Sequence, residues 1–202
     1  MDAETKRKWD SAAGSYDLVN ACGPEWRWAP WKRRLFSAMA GRVLFLAVGT
    51  GQDIQFFPRG RRITGIDISE RMLARAGPRA RAYDGELELR QLDVHDLDYP
   101  DDTFDQVFTS CTFCSVPDPV GGLRSLHRVL KPGGTIGMFE HTGSRVFPIG
   151  PMLHLMTALT RRFGPELDRD TPRNVETAGF VDVDVEPVYL DVVRIIRAAK
   201  RG

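Results

Sequence analysis

Cysteine is scarce in this chain of 202 residues: only three are present, and an odd number cannot all pair within one molecule. Cys111 and Cys114 have no second C-x-x-C and no nearby histidine pair, so neither a disulfide framework nor a structural zinc site is expected. No apolar run approaches the roughly 20 residues that a membrane-spanning helix needs. The opening MDAETKRKWD carries charge with no apolar segment behind it, so no secretory signal is visible and a cytoplasmic location is expected. A charge excess is missing too: 28 Lys and Arg against 27 Asp and Glu leave a formal net charge of +1, which gives no global attraction for nucleic acid. Local basic clusters (KRK at 6–8, KRR at 32–34, RR at 161–162) still suit an anionic surface. Repeats and low-complexity tracts are absent. What is present, 42% apolar and 27% charged residues, suits a single domain with one substantial core.

From Arg42 onward, short β-branched or aromatic runs alternate with longer helical patterns, the order of a mostly parallel sheet with helices on both faces. Strands are expected at 43–48, 62–66, 87–92, 106–109, 135–139, 181–187 and 190–198. Helices are expected at 3–17, 31–39, 69–76, 119–130, 151–162 and 171–178, with a short one at QDIQFF. Ser69 is placed to cap the helix that Gly77-Pro78 should end, and LKPGG should turn the chain into the fifth strand. The last two strands have almost no connection, so they should form an antiparallel hairpin at one edge. Residues 1–40 and 142–170 fall outside the alternation. They are expected to cover the site, the first as an N-terminal helical cover and the second as an inserted helical lid.

Ligands of open α/β sheets lie outside the carboxyl ends of the strands, where the strand order reverses. The first strand ends in Gly49-Thr50-Gly51, where glycines permit a tight turn and close approach to the backbone. The second ends in Asp67, suited to accept from both hydroxyls of a ribose. The third ends in Asp93-Val94, where a carboxylate can accept from an exocyclic amine and a backbone N–H can read a ring nitrogen. Singly, a Gly-x-Gly can be an ordinary turn and a strand-end Asp a helix cap. Three in register are far more specific. A dinucleotide loop would need a third glycine where this chain has Ile54, which argues against a nicotinamide-dependent oxidoreductase.

The run VLFLAVGTG, followed by ITGIDIS, LDVHDLDYPDDTFDQVFTS and HRVLKPGGTIGMFEH, resembles class I S-adenosylmethionine-dependent methyltransferases. The likeness covers Arg42 to His141 and is strongest to the small-molecule group that includes quinone-biosynthesis enzymes. The lead-in WDSAAGSYDLVN is similar to that group's, and CSVPDP with FEH narrows the likeness to bacterial relatives of methyltransferase-like thiol methyltransferases. A looser similarity runs to bacterial phospholipid N-methyltransferases. The resemblance implies a Rossmann-like seven-stranded sheet with a terminal antiparallel hairpin. It implies S-adenosylmethionine as cofactor and S-adenosylhomocysteine as product. It also implies cofactor contacts at Tyr16, Ala47, Gly49, Thr50, Gly51, Asp67, Ile68, Met72, Asp93, Val94 and Thr109, with Tyr16 over the methionine end. The chain departs from the family at Phe45, where an acid is usual, and at Ala47, where a glycine is usual. Phe45 should then lie buried, and the ammonium contact should fall to the carbonyls of Ala47 and Thr109.

The acceptor is expected at the ends of strands four and five, beside Ser110, Cys111, Phe113 and Cys114 on one side and Glu140 and His141 on the other. His141, with Glu140 and Tyr16, is the catalytic expectation, as base or orienting group; its alternative is a histidine bonded to a loop backbone. The two cysteines could line the acceptor, respond to redox, or be small buried residues. GPEWRWAPWKRR sets three tryptophans beside four basic residues, and the 142–170 segment sets Met152, Leu153, Leu155, Met156, Leu159 and Phe163 largely on one helical face. These stripes are either core or an apolar lid for a greasy acceptor taken from a membrane surface. The expected partners are a small-molecule or lipid substrate and the inner face of a membrane, not nucleic acid or metal; oligomeric state is open. The competing function is a non-catalytic S-adenosylmethionine-binding sensor or partner protein.

Overall fold

The computed structural model describes residues 1–21, 25–160 and 166–202. Among these, strands β1 (Arg42–Leu46), β2 (Arg62–Asp67), β3 (Glu86–Gln91), β4 (Phe104–Ser110), β5 (Leu130–His141), β6 (Val181–Tyr189) and β7 (Val193–Ala199) form one sheet in the order β3-β2-β1-β4-β5-β7-β6. Pairings from β3 through β5 are parallel, and β7 runs antiparallel to both β5 and β6. The expected α/β sheet with its terminal antiparallel pair is what forms. The strand order reverses between β1 and β4, so the crevice at their carboxyl ends is where a ligand belongs.

The helices are α1 (Ala3–Ala12), α2 (Tyr16–Ala21), α3 (Glu25–Phe36), α4 (Glu70–Arg81), α5 (Pro119–Val129), α6 (Ile149–Thr160) and α7 (Thr171–Thr177), with a 3-10 turn at Gln52–Phe56. Alternate residues of β1 feed two cores. Leu44 and Leu46 pack with Leu123 and Leu126 of α5 and Val175 of α7, whereas Val43 and Phe45 pack with Leu35 and Phe36 of α3. Phe45 is fully buried, with its ring 5.4 Å from Phe36 and 4.8 Å from Phe57. The residue that departs from the family thus belongs to the aromatic core behind the loop.

Three expectations are corrected. The helix expected at 3–17 breaks at a turn around Gly14 into α1 and α2. Gly77-Pro78 does not end α4, which runs to Arg81, because Ala76 and Ala80 on either side of the proline both pack into the core. One missing N–H costs less than leaving that face unpacked. LKPGG is absorbed into β5 as an irregularity, where Leu130 pairs Phe104 and Thr135 pairs Gln106. Among the described residues no helix is long and apolar enough to cross a membrane.

Candidate active site

The loop after β1 is built by two glycines with separate tasks. Gly49 (φ 56°) lines the pocket, and a Cβ there would meet nothing nearer than 4.0 Å. Gly51 (φ 83°) lies against α4: a Cβ would stand 2.8 Å from Ile54 and 3.1 Å from Ala76. Helix–loop packing, the task of a third glycine in dinucleotide loops, is met here by Gly51. Ala47 also lines the pocket at φ 55°, a conformation that L-residues resist.

Asp67 ends β2 and holds this loop. Its Oδ2 accepts from the Gly49 N–H at 2.8 Å and its Oδ1 from the Ser69 N–H at 2.8 Å. Each oxygen keeps acceptor capacity for a further donor. Burial pushes its carboxyl up to about 6. Beyond β3, Asp93 Oδ1 accepts from the His95 N–H at 3.0 Å, and Oδ2 accepts from the Asp2 N–H at 2.7 Å. Burial works to raise its pKa, but these hydrogen bonds outweigh it and hold the carboxyl below its ordinary value.

Of the expected residues, Tyr16, Ala47, Gly49, Asp67, Ile68, Met72, Asp93, Val94, Ser110 and Cys111 line one pocket. Thr50 and Gly51 lie behind it. Thr50 is buried and donates through Oγ1 to Asp17, while its carbonyl accepts from Arg79 at 2.7 Å. The pocket also takes in Asp2, Thr5 and Trp9 of the N-terminal cover, His95, and the 112–117 loop through Thr112, Ser115, Val116 and Pro117. The lining surrounds a cavity of about 100 Å³ that is partly open to solvent.

The expected acceptor residues divide. Ser110 and Cys111 face the pocket, and Cys111 is exposed at φ 51°. Phe113 is a core residue, Thr109 is fully buried, and burial pushes the Cys114 thiol up to about 11, so Cys114 is a neutral buried group at physiological pH. Glu140 has no exposed surface. Its carboxylate accepts from Thr109 Oγ1 at 2.7 Å, from the Thr112 N–H at 3.0 Å and from the Phe113 N–H at 3.1 Å. Burial pushes this carboxyl up to about 7 against those bonds. Glu140 therefore braces the 111–113 loop and does not line the pocket. His141 lies next along β5, outside the pocket lining, with Nδ1 buried and without a hydrogen-bond partner among the described residues; burial lowers its pKa and favours the neutral ring.

The lid differs from the expected stripe. Leu153 and Thr157 of α6 turn inward, while Met152, Leu155 and Met156 face outward. Met152 and Met156 are thus not in the pocket. Arg161, Arg162 and Phe163, and the side chains of Trp26 and Leu159, lie outside the described residues. Of the three tryptophans in the first cover, Trp28 packs on Phe139 and Tyr189 with ring centroids 6.0 Å from each, and Trp31 packs against the core.

Fold and pocket define an open α/β protein with two strand-end carboxylates, Asp67 and Asp93, lining a pocket at its switch point. Residues 44–138 match the family model described as a methyltransferase domain. The ubiquinone/menaquinone biosynthesis C-methyltransferase of Escherichia coli O1:K1 / APEC is 30% identical, over 94% of this chain and 88% of its own. The phosphatidylethanolamine N-methyltransferase of Cereibacter sphaeroides is 36% identical over 127 residues, 62% of this chain and 61% of its own. The chain belongs to the S-adenosylmethionine-dependent methyltransferases. It spans about six tenths of the length of several of the relatives it matches. A phosphoethanolamine N-methyltransferase of Haemonchus contortus, solved with phosphomonomethylethanolamine and S-adenosylhomocysteine, shares the fold at TM-score 0.71 and 17% identity, over 98% of this chain and 61% of that one.

Proposed function

We propose that the protein transfers a methyl group from S-adenosylmethionine to a small apolar or amphipathic acceptor: a lipid amine, a quinone-like ring or a hydrophobic thiol. The observation that carries this reading is the convergence of Gly49, Asp67 and Asp93, from three successive strand ends, on one pocket. The residues suit the cofactor: Gly49 leaves space where a side chain would stand, and Asp67 keeps acceptor capacity toward ribose hydroxyls. Asp93 and the Val94 N–H suit the adenine edge, Tyr16 the methionine end, and the Ala47 carbonyl the ammonium; Thr109, expected beside it, is buried outside the lining. When bound, S-adenosylmethionine supplies an electrophilic methyl carbon. The chain's own contribution is alignment of the acceptor with that methyl carbon, where much of the rate of such a displacement arises.

His141 is the proposed base or orienting group for an acceptor that must lose a proton. A neutral ring whose Nδ1 has no hydrogen-bond partner among the described residues suits that task. Glu140 is a positioning residue for the loop that carries Cys111 and Thr112. A greasy acceptor is supported by the apolar surface at the sheet end that carries the site. Phe147 (84% exposed), Val146, Met152, Leu155 and Met156 lie outward, and Ser144 donates to Asp191 beside exposed Tyr189 and Leu190. Arg27 stands over the Tyr189 ring at 5.4 Å, a pairing that suits a lipid headgroup layer. The test is S-adenosylhomocysteine release with phosphatidylethanolamine vesicles, alkyl thiols and quinol precursors. Turnover with one class fixes the acceptor. No turnover with any, alongside tight S-adenosylhomocysteine binding, would support the sensor reading instead.

A further inference from the structure

His95 stands in the pocket two residues past the strand-end carboxylate, and it has no part in the reading above. Its main-chain N–H donates to Asp93 Oδ1 at 3.0 Å, and its ring Nδ1 lies 2.9 Å from the same oxygen. On the other side of the ring, Nε2 lies 2.9 Å from the carbonyl oxygen of Asp118, the residue that caps α5. A carboxylate and a carbonyl both only accept, so Nδ1 donates to Asp93 Oδ1, and the Asp118 carbonyl beside Nε2 favours a second ring proton. Burial opposes that charge, but the Asp118 carbonyl and the Asp93 carboxylate outweigh it and leave the His95 pKa raised.

The geometry assigns His95 as a specificity-determining positioning residue that makes Asp93 a reader of the purine 6-amino group. Two donors from one residue commit Oδ1 and stop the carboxylate from turning. Oδ2 is left toward the pocket, where the Asp2 N–H takes one acceptor direction at 2.7 Å and the other remains for a ligand. A fixed acceptor rewards an N–H donor and sets like against like when the ligand offers an oxygen instead. A carboxylate free to rotate would lose that contrast, because it could turn away from the wrong base.

The proposal rests on the reading that Asp93 meets the adenine amine, and the experiment separates the two. Dissociation constants are measured for S-adenosylhomocysteine and its deaminated analogue S-inosylhomocysteine, on the wild type, H95A, H95F and H95N, with thermal unfolding of each variant as the check on folding. The wild type should prefer the adenosyl ligand by about 100-fold or more. H95F, which keeps the ring's bulk without its donors, and H95A should lose about ten-fold or more of that preference, with little change toward the inosyl ligand. H95N, whose amide can still donate to Oδ1, should retain most of it. If H95A or H95F weakens both ligands equally, or leaves both unchanged, the assignment of His95 is overturned. If the wild type itself does not distinguish the two ligands, the reading of Asp93 fails first.

Discussion

At Ala47 the backbone holds φ 55° with a Cβ attached, a strain of about 1–2 kcal/mol for an L-residue, at a position that lines the pocket. Relief of that strain offsets the greater chain entropy lost by glycine, so Ala47→Gly should raise stability by up to about 1 kcal/mol in urea titration. A loss of that size would show the φ to be unstrained. Phe45 gives the opposite case. Restoring an acid as Phe45→Glu would place a carboxylate among Phe36 and Phe57, and should cost at least about 3 kcal/mol, whereas Phe45→Leu should keep the fold. Tighter cofactor binding by a stable Phe45→Glu variant would refute that placement. Asp67 carries a pH signature with two signs. Its folded-state pKa is raised by burial to about 6, above the value of 3.8 expected unfolded, so the unliganded fold takes up a proton first and this group adds stability as pH falls between those values. S-adenosylhomocysteine affinity should move the other way and weaken as pH drops through about 6, because protonation removes an acceptor. Affinity that is flat from pH 8 to 5 would remove Asp67 from ribose binding. Gly49, Asp67 and Asp93 were legible in the sequence because strand ends and spacing alone bring them together. His95, Asp2, Thr5 and Trp9 were not, since they reach the pocket through a loop turn and the folding back of α1; the only local signal was a histidine two places after Asp93.

Among the elements, α1 and α2 are fastened over the cofactor loop by carboxylates. Asp10 accepts from Ser69 Oγ at 2.6 Å, and Asp17 accepts from Thr50 Oγ1, from Gln52 at 3.0 Å and from Arg79 at 3.2 Å. If cofactor passes in and out beneath α1 and α2, these contacts loosen with each exchange. Asp17→Ala should therefore speed S-adenosylhomocysteine release by roughly ten-fold, the equivalent of one charge-assisted bond, in stopped-flow displacement. An unchanged rate would mean that the cover moves as a unit elsewhere. The next helix, α3, is tied down separately, where Lys32 donates to Asp53 at 2.8 Å in a buried pair beneath the site. Helix ends were readable where a side chain caps: Ser69 does accept from the Met72 N–H. The run through Gly77-Pro78 was not readable, because packing of α4 on the sheet, absent from any local window, decides it. The outward turn of α6 was equally hidden, since an apolar helix looks the same in sequence whichever face meets the protein.

For the whole molecule, the alternation of short β-branched runs with helical periods was enough to count seven strands and pair the last two, whereas their order across the sheet emerges only in the fold. Which surface meets the acceptor is a property of the folded chain. The exposed Phe147, Leu155 and Met156 predict that the protein sediments with anionic lipid vesicles and that Phe147→Ser with Leu155→Ser releases it, without loss of S-adenosylhomocysteine binding. Equal sedimentation of the double variant would move the membrane contact elsewhere. Calorimetric titration of the wild type and Asp67→Ala with S-adenosylhomocysteine and with NAD probes the proposed methyl-donor pocket at the β1–β4 switch point. One S-adenosylhomocysteine should bind per chain, NAD should give no heat, and Asp67→Ala should lose roughly 1.5–3 kcal/mol of binding. Binding of NAD without S-adenosylhomocysteine, or unchanged affinity in Asp67→Ala, would contradict the proposed pocket.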